Sequence, residues 1–436
     1  MIWSRQESLV NQNSLLNSTV VIVGDGRLGE FLLFASSGLG IGTICYISKN
    51  IELVEKVYGD RNTYKRLLAE YGIKVEFYED IDDIARIKIY SEKLAFIDVT
   101  NNPDSKAELA YRVLRWRDSL PETFIISASC DQREGAGYAV RLSEEYTKKI
   151  KNDVENMEEI FFCDEYAGLE QGWLAPVISG LVLEDVRKFF EDQLSPSFER
   201  EYNLPRFDFP KNLEEKILMI GAGGGGTYVG IAAASLLNEG KVTIVDPDFI
   251  KPHNLNRQVF AFDKVGKPKS EILANLIKIL NPKLDVSYEI ASIGVLPSKE
   301  QVEKGARMFD KNEILNLAEK YTVIADGVDN DLSFNFIVNL AKYFGKKYSI
   351  GRIQIYTKKK MWEGRTSYCK FTSQRKIDLK CCDKPLEERA VSCAAVPSLI
   401  IPHLIVGTLH GYLSVFSPSF KEIKYKNKDN SLTIYE

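Results

Sequence analysis

The sequence predicts an α/β chain with two tandem strand–helix–strand units, and three observations carry that reading. One is the run Lys216–Ser270: an apolar strand (Lys-Ile-Leu-Met-Ile), a glycine cluster (Gly221, Gly223, Gly224, Gly225, Gly226), an apolar segment, and a second strand running into Asp246-Pro247-Asp248. Another is the same pattern near the start, where the apolar Thr19–Gly24 leads into Gly-Asp-Gly-Arg-Leu-Gly (Gly24–Gly29) and then Thr43–Ile47. Last, each half has a further apolar strand with an acid near its end, Asp98 within Leu94–Asn102 and Asp326 within Ala325–Asn330. Short apolar strands alternating with helical segments indicate parallel sheets covered by helices, and matching segments indicate an internal repeat.

A chain of 436 residues has room for two or three domains with sizeable cores. Its net charge of −4 is spread over mixed acids and bases, so neither a nucleic-acid stripe nor an anionic-membrane patch stands out. No basic-then-apolar signal segment opens the chain, and seven cysteines without regular spacing fit a reducing compartment, so a cytoplasmic location is expected. Val396–Val415 is uncharged over twenty residues but holds Pro397, Pro402, His403 and His410, and it reads as a buried helix rather than a membrane span.

In order along the chain, Ile2–Ser18 is polar and carries Ser4-Arg5-Gln6 before a short helical pattern. The first Rossmann-like unit follows. Gly24 matches Gly221 at an offset of 197 and Asp98 matches Asp326 at 228, so about thirty residues are missing between those points in the first half. There the second strand ends in Ser48-Lys49, without an acid, and Asn101 stands in place of Asp329. Residues 1–200 therefore read as a duplicated domain that kept its fold and lost its nucleotide chemistry; the alternative is an unrelated Rossmann-like domain. A helical, acidic insertion is expected at about 140–170, packed over the sheet. Leu194–Pro210, with three prolines, reads as a linker. Residues 201–436 form the second domain, with a crossover loop at about 360–396 and a closing β-hairpin past Phe416.

The chemistry concentrates in the second half. Glycines at a strand-to-helix turn let backbone approach a phosphate, and the helix N-terminus presents free N–H groups. Asp246 is placed for ribose hydroxyls. Asn-Leu-Asn-Arg-Gln (Asn254–Gln258) and Gly-Lys-Pro-Lys-Ser (Gly266–Ser270) add two fixed cations, Arg257 and Lys269, which suit a triphosphate better than a dinucleotide's pyrophosphate. Asp329 can hold Mg²⁺, which usually binds through one or two carboxylates plus phosphate oxygens.

This set of motifs resembles the ubiquitin-activating superfamily, whose simpler members include the ThiF and MoeB adenylyltransferases. The resemblance implies two tandem Rossmann-like ThiF-type domains, the first inactive, forming an intramolecular pseudo-dimer where single-domain relatives homodimerise; a pseudo-dimeric monomer and a homodimer both stay open. It implies ATP-dependent adenylation of the C-terminal carboxylate of a ubiquitin-like or sulfur-carrier protein ending in glycine. By the same resemblance Gly221, Gly223, Gly224 and Gly226 cradle ATP, with Asp248 and Asn330 in the nucleotide-binding set and Asp246 on ribose. Arg5, Arg257 and Lys269 would serve phosphates, Asn256 a phosphate or the approach loop, and Asp329 Mg²⁺. Arg5-Gln6 precedes the inactive half, so Arg5 would have to serve the second site. Asp326 reads as a strand-end structural acid, with a direct catalytic role as the alternative. Gly225 departs from the leucine usual in this turn, which loosens the helix start without removing phosphate contacts.

Cys393, before the apolar helix, resembles the acceptor cysteine of ThiF-like members, where a thiolate could form a thioester; the competing reading is a small buried residue, and Cys381 and Cys382 are rival nucleophiles. Zinc is not expected: no Cys-X-X-Cys pair exists, so Cys369, Cys381, Cys382 and Cys393 would need unusual spacing. His253, His403 and His410 form no ligand pattern. The length leaves no room for a large separate catalytic-cysteine domain or a terminal ubiquitin-fold domain, which implies a minimal activating enzyme of archaeal or bacterial type. Other readings are an adenylyltransferase that tailors a ribosomally made peptide, disfavoured by the lack of a leader-binding domain ahead of Arg5, and a non-catalytic scaffold binding a carrier protein, disfavoured by the intact acid and cation set. A nicotinamide dehydrogenase leaves the Arg-Gln and Lys-Pro-Lys motifs unexplained.

Overall fold

A computed structural model describes residues 2–100, 109, 112–113, 115–116, 120–131, 133, 135–141, 172–208, 212–377, 379, 382–385, 398–416 and 422–435. It divides into two compact units, Gln6–Phe209 with Leu399–Ile401, and Met1–Arg5 with Pro210–Ser398 and Pro402–Glu436. In the first unit the β-branched run of β1 (Ser18–Val23) is buried along its whole length, as a parallel strand covered on both faces must be. It is followed by α1 (Arg27–Leu39), β2 (Thr43–Ile47), β3 (Lys74–Tyr78), β4 (Lys93–Asp98), β5 (Glu122–Cys130), β6 (Gly135–Arg141), α2 (Ala175–Phe190) and β7 (Glu199–Asn203). The sheet order is β3-β2-β1-β4-β5-β6-β7. The first five strands run parallel and the last two pairings are antiparallel.

Strand β7 lies inside the stretch expected to be a linker. It pairs with β6 from Val140↔Glu199 to Ala136↔Asn203, and Tyr202 buries its ring while its hydroxyl donates to Asp185. Only Pro205 and Pro210 fall beyond it, so the proline signal marks the strand's exit and not a structureless run. The helical insertion expected at about 140–170 falls on residues 142–171, outside the described residues.

The second unit is built from β8 (Glu214–Ile220), α3 (Gly224–Leu236), β9 (Glu239–Val245), α4 (Lys269–Leu280), β10 (Asp285–Glu289), β11 (Val323–Asp326), α5 (Asp331–Phe344), β12 (Lys347–Tyr356), β13 (Met361–Lys370), α6 (Thr408–Val415), β14 (Glu422–Lys426) and β15 (Ser431–Tyr435). Its order is β10-β9-β8-β11-β12-β13-β14-β15. The strands are parallel through β12 and antiparallel beyond it. The two sheets thus share one winding, and in the second the direction reverses between β8 and β11. A crevice opens at such a switch point, outside the carboxyl ends of the strands, and the glycine turn, Asp246 and Asp326 all sit there.

Part of the expected crossover loop is sheet: β13 pairs with β12 along all its residues, from Tyr356↔Met361 to Lys347↔Lys370, and Trp362 is fully buried. The expected hairpin is β14–β15. Of the apolar run ending at Val415, His403–Gly407 is a π-helical turn directly after Pro402, whose missing N–H breaks the α-helical ladder, and α6 continues it. It packs on α3 through small residues; a Cβ on Gly411 would meet the Ala232 Cβ at 2.6 Å. Among the described residues no helix is long and apolar enough to cross a membrane.

The sheet's contact with that helical run generates one stability test. A Cβ on Gly364 of β13 would stand 2.0 Å from Val406 Cγ2. Gly364→Ala is expected to cost about 1–3 kcal/mol through overpacking, seen as a lowered thermal midpoint; an unchanged midpoint contradicts this packing.

Candidate functional site

The glycine turn is shaped by close approach. Gly221 has φ +102°, and a Cβ there would meet the Gly327 carbonyl carbon at 2.7 Å; one on Gly226 would meet the Gly221 oxygen at 2.2 Å. Gly223 precedes the helix without a side-chain cap, and a Cβ on it would meet nothing within 4 Å. The start of α3 is therefore uncapped, and a helix N-terminus with free N–H groups is the arrangement that receives an anion. A Cβ on Gly225 would make an ordinary 3.8 Å contact with His403 Nδ1, so the missing leucine reflects no steric ban.

Asp246, at the end of β9, is buried and accepts N–H bonds from Ala222 (2.6 Å) and Asp248 (2.7 Å). Burial pushes it up to about 6, with Lys269 pulling the other way. Asp248 is likewise raised by burial, yet Lys269 Nζ at 2.6 Å and Gln301 Nε2 at 2.6 Å hold it below its ordinary value. Lys269 opens α4, and the buried Ser270 Oγ beside it has no partner among the described residues.

Arg257 sits on the loop after β9. Its Nη1 donates to the His253 carbonyl (2.8 Å) and to Asn256 Oδ1 (2.9 Å), while Asn256 Nδ2 donates to the Ser398 carbonyl (2.8 Å). Arg257 is 8% exposed, and among the described residues it forms no ion pair. Burial and the neighbouring Arg5 charge push it down to about 10, and the same cations with burial push His253 to about 4. The structure thus places Arg5 in the second unit, where its carbonyl accepts the Ser398 N–H at 2.7 Å. Asp329 is exposed and lies near enough to Arg257 to raise it. Asn330 caps α5 by accepting the Ser333 N–H at 2.9 Å. Asp326 is buried and held by the Tyr348 hydroxyl (2.7 Å) and the Val328 N–H (3.1 Å), bonds to the fold's own groups.

Three neighbours carry no signal that the motif reading used. Gln258 Nε2 donates to the Ala222 carbonyl at 2.8 Å and leaves its Oε1 buried with no partner among the described residues. It stands inside the Asn-Leu-Asn-Arg-Gln motif and could have been singled out. Gln301 reaches Asp248 from a distant helix start, and His403 presents a buried Nδ1 with no partner among the described residues; neither has a sequence signature. Cys381 and Cys393 lie outside the described residues, Cys382 opens the short strand Cys382–Pro385, and Cys369 is an exposed free thiol. Among the described residues no group of three His, Cys, Asp or Glu could hold a metal.

The donor set fits a polyanion: a buried arginine that forms no ion pair among the described residues, uncapped helix N-terminal amides, and buried polar atoms with no partner among the described residues. One carboxylate, Asp329, stands at the exposed rim, which suits a cation that takes its other ligands from phosphate and water.

The first unit has the same turn with a different lining. Gly24 has φ +134° and packs on Val99 and Thr100 as Gly221 packs on Gly327. At the 197-residue offset Ala222 becomes Asp25 and Asp246 becomes Lys49. The bond is inverted: Asp25 Oδ1 accepts from the Lys49 N–H (2.8 Å) and the Ser48 hydroxyl (2.6 Å). A carboxylate now stands in the turn itself, where it repels phosphate.

Strand order and site together define a Rossmann-like α/β unit with a glycine turn and buried carboxylates at its switch point. Residues 200–409 match the ThiF family model. The chain is similar to the NEDD8-activating enzyme E1 catalytic subunit of Saccharomyces cerevisiae, 39% identical over 83 residues, 19% of this chain and 28% of that protein. It is similar to the adenylyltransferase and sulfurtransferase UBA4 of Yarrowia lipolytica, 34% identical over 104 residues, 21% of this chain and 26% of that protein. It is also similar to the SAMP-activating enzyme E1 of Haloferax volcanii, 32% identical over 119 residues, 27% and 38% of the two chains. The chain therefore spans well under half the length of these relatives.

Asp326 supplies a pH test. Burial raises it to about 6 from an ordinary 3.8, so the folded state holds its proton longer than the unfolded chain. Its contribution to stability is full below about pH 4 and is lost as pH rises through about 6. Asp326→Asn is expected to shrink the stability loss between pH 4 and pH 7 by up to about 3 kcal/mol, read from urea midpoints; an unchanged pH slope contradicts the assignment.

Proposed function

We propose that the second unit adenylates the C-terminal carboxylate of a ubiquitin-like or sulfur-carrier protein ending in glycine, using ATP and Mg²⁺. The observation that carries this reading is Arg257: a buried guanidinium that forms no ion pair among the described residues, beside Arg5 and close to an uncapped helix N-terminus. The ThiF-family match and the activating enzymes among the relatives support it.

Gly221, Gly223, Gly224 and Gly226 cradle the phosphates through main-chain N–H groups, and Asp246 receives the ribose hydroxyls. Asp248 orients Lys269, which exchanges its carboxylate partner for a phosphate. Asn256 aligns Arg257 toward the phosphates, and Arg5 adds a further positive charge. Asn330 fixes the start of α5 and so the loop that carries Asp329. Asp329 would hold Mg²⁺, which supplies charge neutralisation for two anions that must meet. The incoming carboxylate oxygen attacks the α-phosphorus, a C–O–P linkage forms, the α–β bridging P–O bond breaks, and pyrophosphate leaves with that electron pair. Fixed cations lower the barrier because they face charge that develops on the leaving group. Whether the adenylate then passes to a thiol is open among Cys393, Cys381 and Cys382.

The two-unit arrangement, with residues 1–200 inactive and 201–436 active, supplies in one chain what single-domain relatives supply by pairing. It requires one nucleotide per chain, because Asp25 closes the first turn. Calorimetry with Mg·ATP is expected to saturate at one site, and Lys269→Ala is expected to weaken binding by roughly tenfold or more, the scale of a lost charge-assisted bond. Two equivalent sites, or unchanged affinity, contradict the assignment. ATP–pyrophosphate exchange is expected to depend on an added protein ending in Gly-Gly and to fall at least a hundredfold in Asp329→Ala, about 3 kcal/mol of lost stabilisation. Exchange that ignores Asp329 removes it from the reaction.

A further inference from the structure

The antiparallel extension of the second sheet carries a groove of about 680 Å³ whose lining includes Arg352, Gln354, Glu363, Arg365, Lys424 and Lys426. The register explains the charge. Arg352 faces Arg365 across β12–β13, and Arg365 faces Lys424 across β13–β14, so three cations form one row across three strands. Gln354, Glu363 and Lys426 form the next row on the same face. Like charges directly opposite one another destabilise a sheet, and Glu422 answers only part of this row, at 2.8 Å from Arg365 and 3.3 Å from Lys424. Among the described residues lining the groove, Glu363 is the single carboxylate. The opposite face is closed by packing, with Gly364 against Val406 and Gly351 against His410.

The groove starts at the edge of the candidate site. Ile350 pairs with Asp326, so Arg352 stands just past the carboxyl end of β11, and its charge lowers Asp326 against the effect of burial. We propose that this groove is the docking surface for the protein substrate and that it selects a carrier with an acidic face next to its C-terminal tail. The inference rests on the adenylation reading, since that reading brings a polypeptide C-terminus to Asp329. Charge complementarity and adjacency to the site fix the occupant. A polynucleotide fits less well, because the chain's net charge is −4 and of the two lining tyrosines Tyr425 is buried, which leaves Tyr435 as a lone exposed platform among the described lining residues.

The test measures fluorescence anisotropy of the full chain with three labelled probes: an acidic peptide ending in Gly-Gly, the same peptide with its acids replaced by serine and asparagine, and a single-stranded oligouridylate. The acidic peptide is expected to bind roughly tenfold or more tighter than the neutral one, with the preference weakening as salt rises. Arg365→Glu with Lys424→Glu should abolish that preference. Arg365→Gln with Lys424→Gln, which adds no repulsion to the fold, should reduce it, and the distant exposed Lys278→Glu should leave it intact. Equal binding of the two peptides, a preference that survives both double variants, or tighter binding of the oligouridylate overturns the proposal. Mg·ATP affinity is measured on the same samples. Intact ATP binding without peptide selectivity sinks the groove alone; selectivity without ATP binding sinks the adenylation reading and leaves the groove.

Discussion

The second unit's site depends on one carboxylate held dry at the end of a strand. Asp246 ties the glycine turn to β9 by accepting the Ala222 N–H, and it orders the next turn through Asp248. That pair of bonds compensates for burying an acid, which would otherwise take up a proton. It also fixes Asp248, which in turn holds Lys269 at 2.6 Å. The positions of turn, acid and lysine are therefore one linked arrangement.

The first unit gives the control experiment that the chain itself contains. Its winding is the same and its first glycine makes the same approach to the neighbouring strand's exit. Moving the carboxylate from the strand end to the turn keeps the hydrogen bond, so the fold keeps its tie while a negative charge stands in the turn. On the proposed reading the bond serves stability in both units, and its direction decides which turn receives a nucleotide.

The legible features were local ones. Two glycine turns, the apolar strands around them and the closing hairpin follow from short-range patterns, because a parallel strand must be apolar and a phosphate turn must lack side chains. What escaped needed long-range pairing. Glu199–Asn203 carries alternating charges and nearby prolines, so only its partner β6 makes it a strand. Met361–Lys370 is read as loop until Trp362 is seen buried and β12 is found beside it. Gln301 reaches Asp248 across more than fifty positions, and the cation row of Arg352, Arg365 and Lys424 exists only in the register. The Asp25–Lys49 inversion was half legible, since the absent strand-end acid and Asp25 in the turn both showed in the sequence, while the hydrogen bond that joins Asp25 to Lys49 did not.

The central claim is that ATP binds at the turn of the second unit and not at that of the first. Photo-crosslinking with 8-azido-ATP and Mg²⁺, followed by peptide mapping of the labelled chain, tests it most directly. The account predicts label confined to peptides from residues 212–330 and displaced by unlabelled ATP. Displaceable label on peptides from residues 19–60, or equal label on both regions, would contradict it.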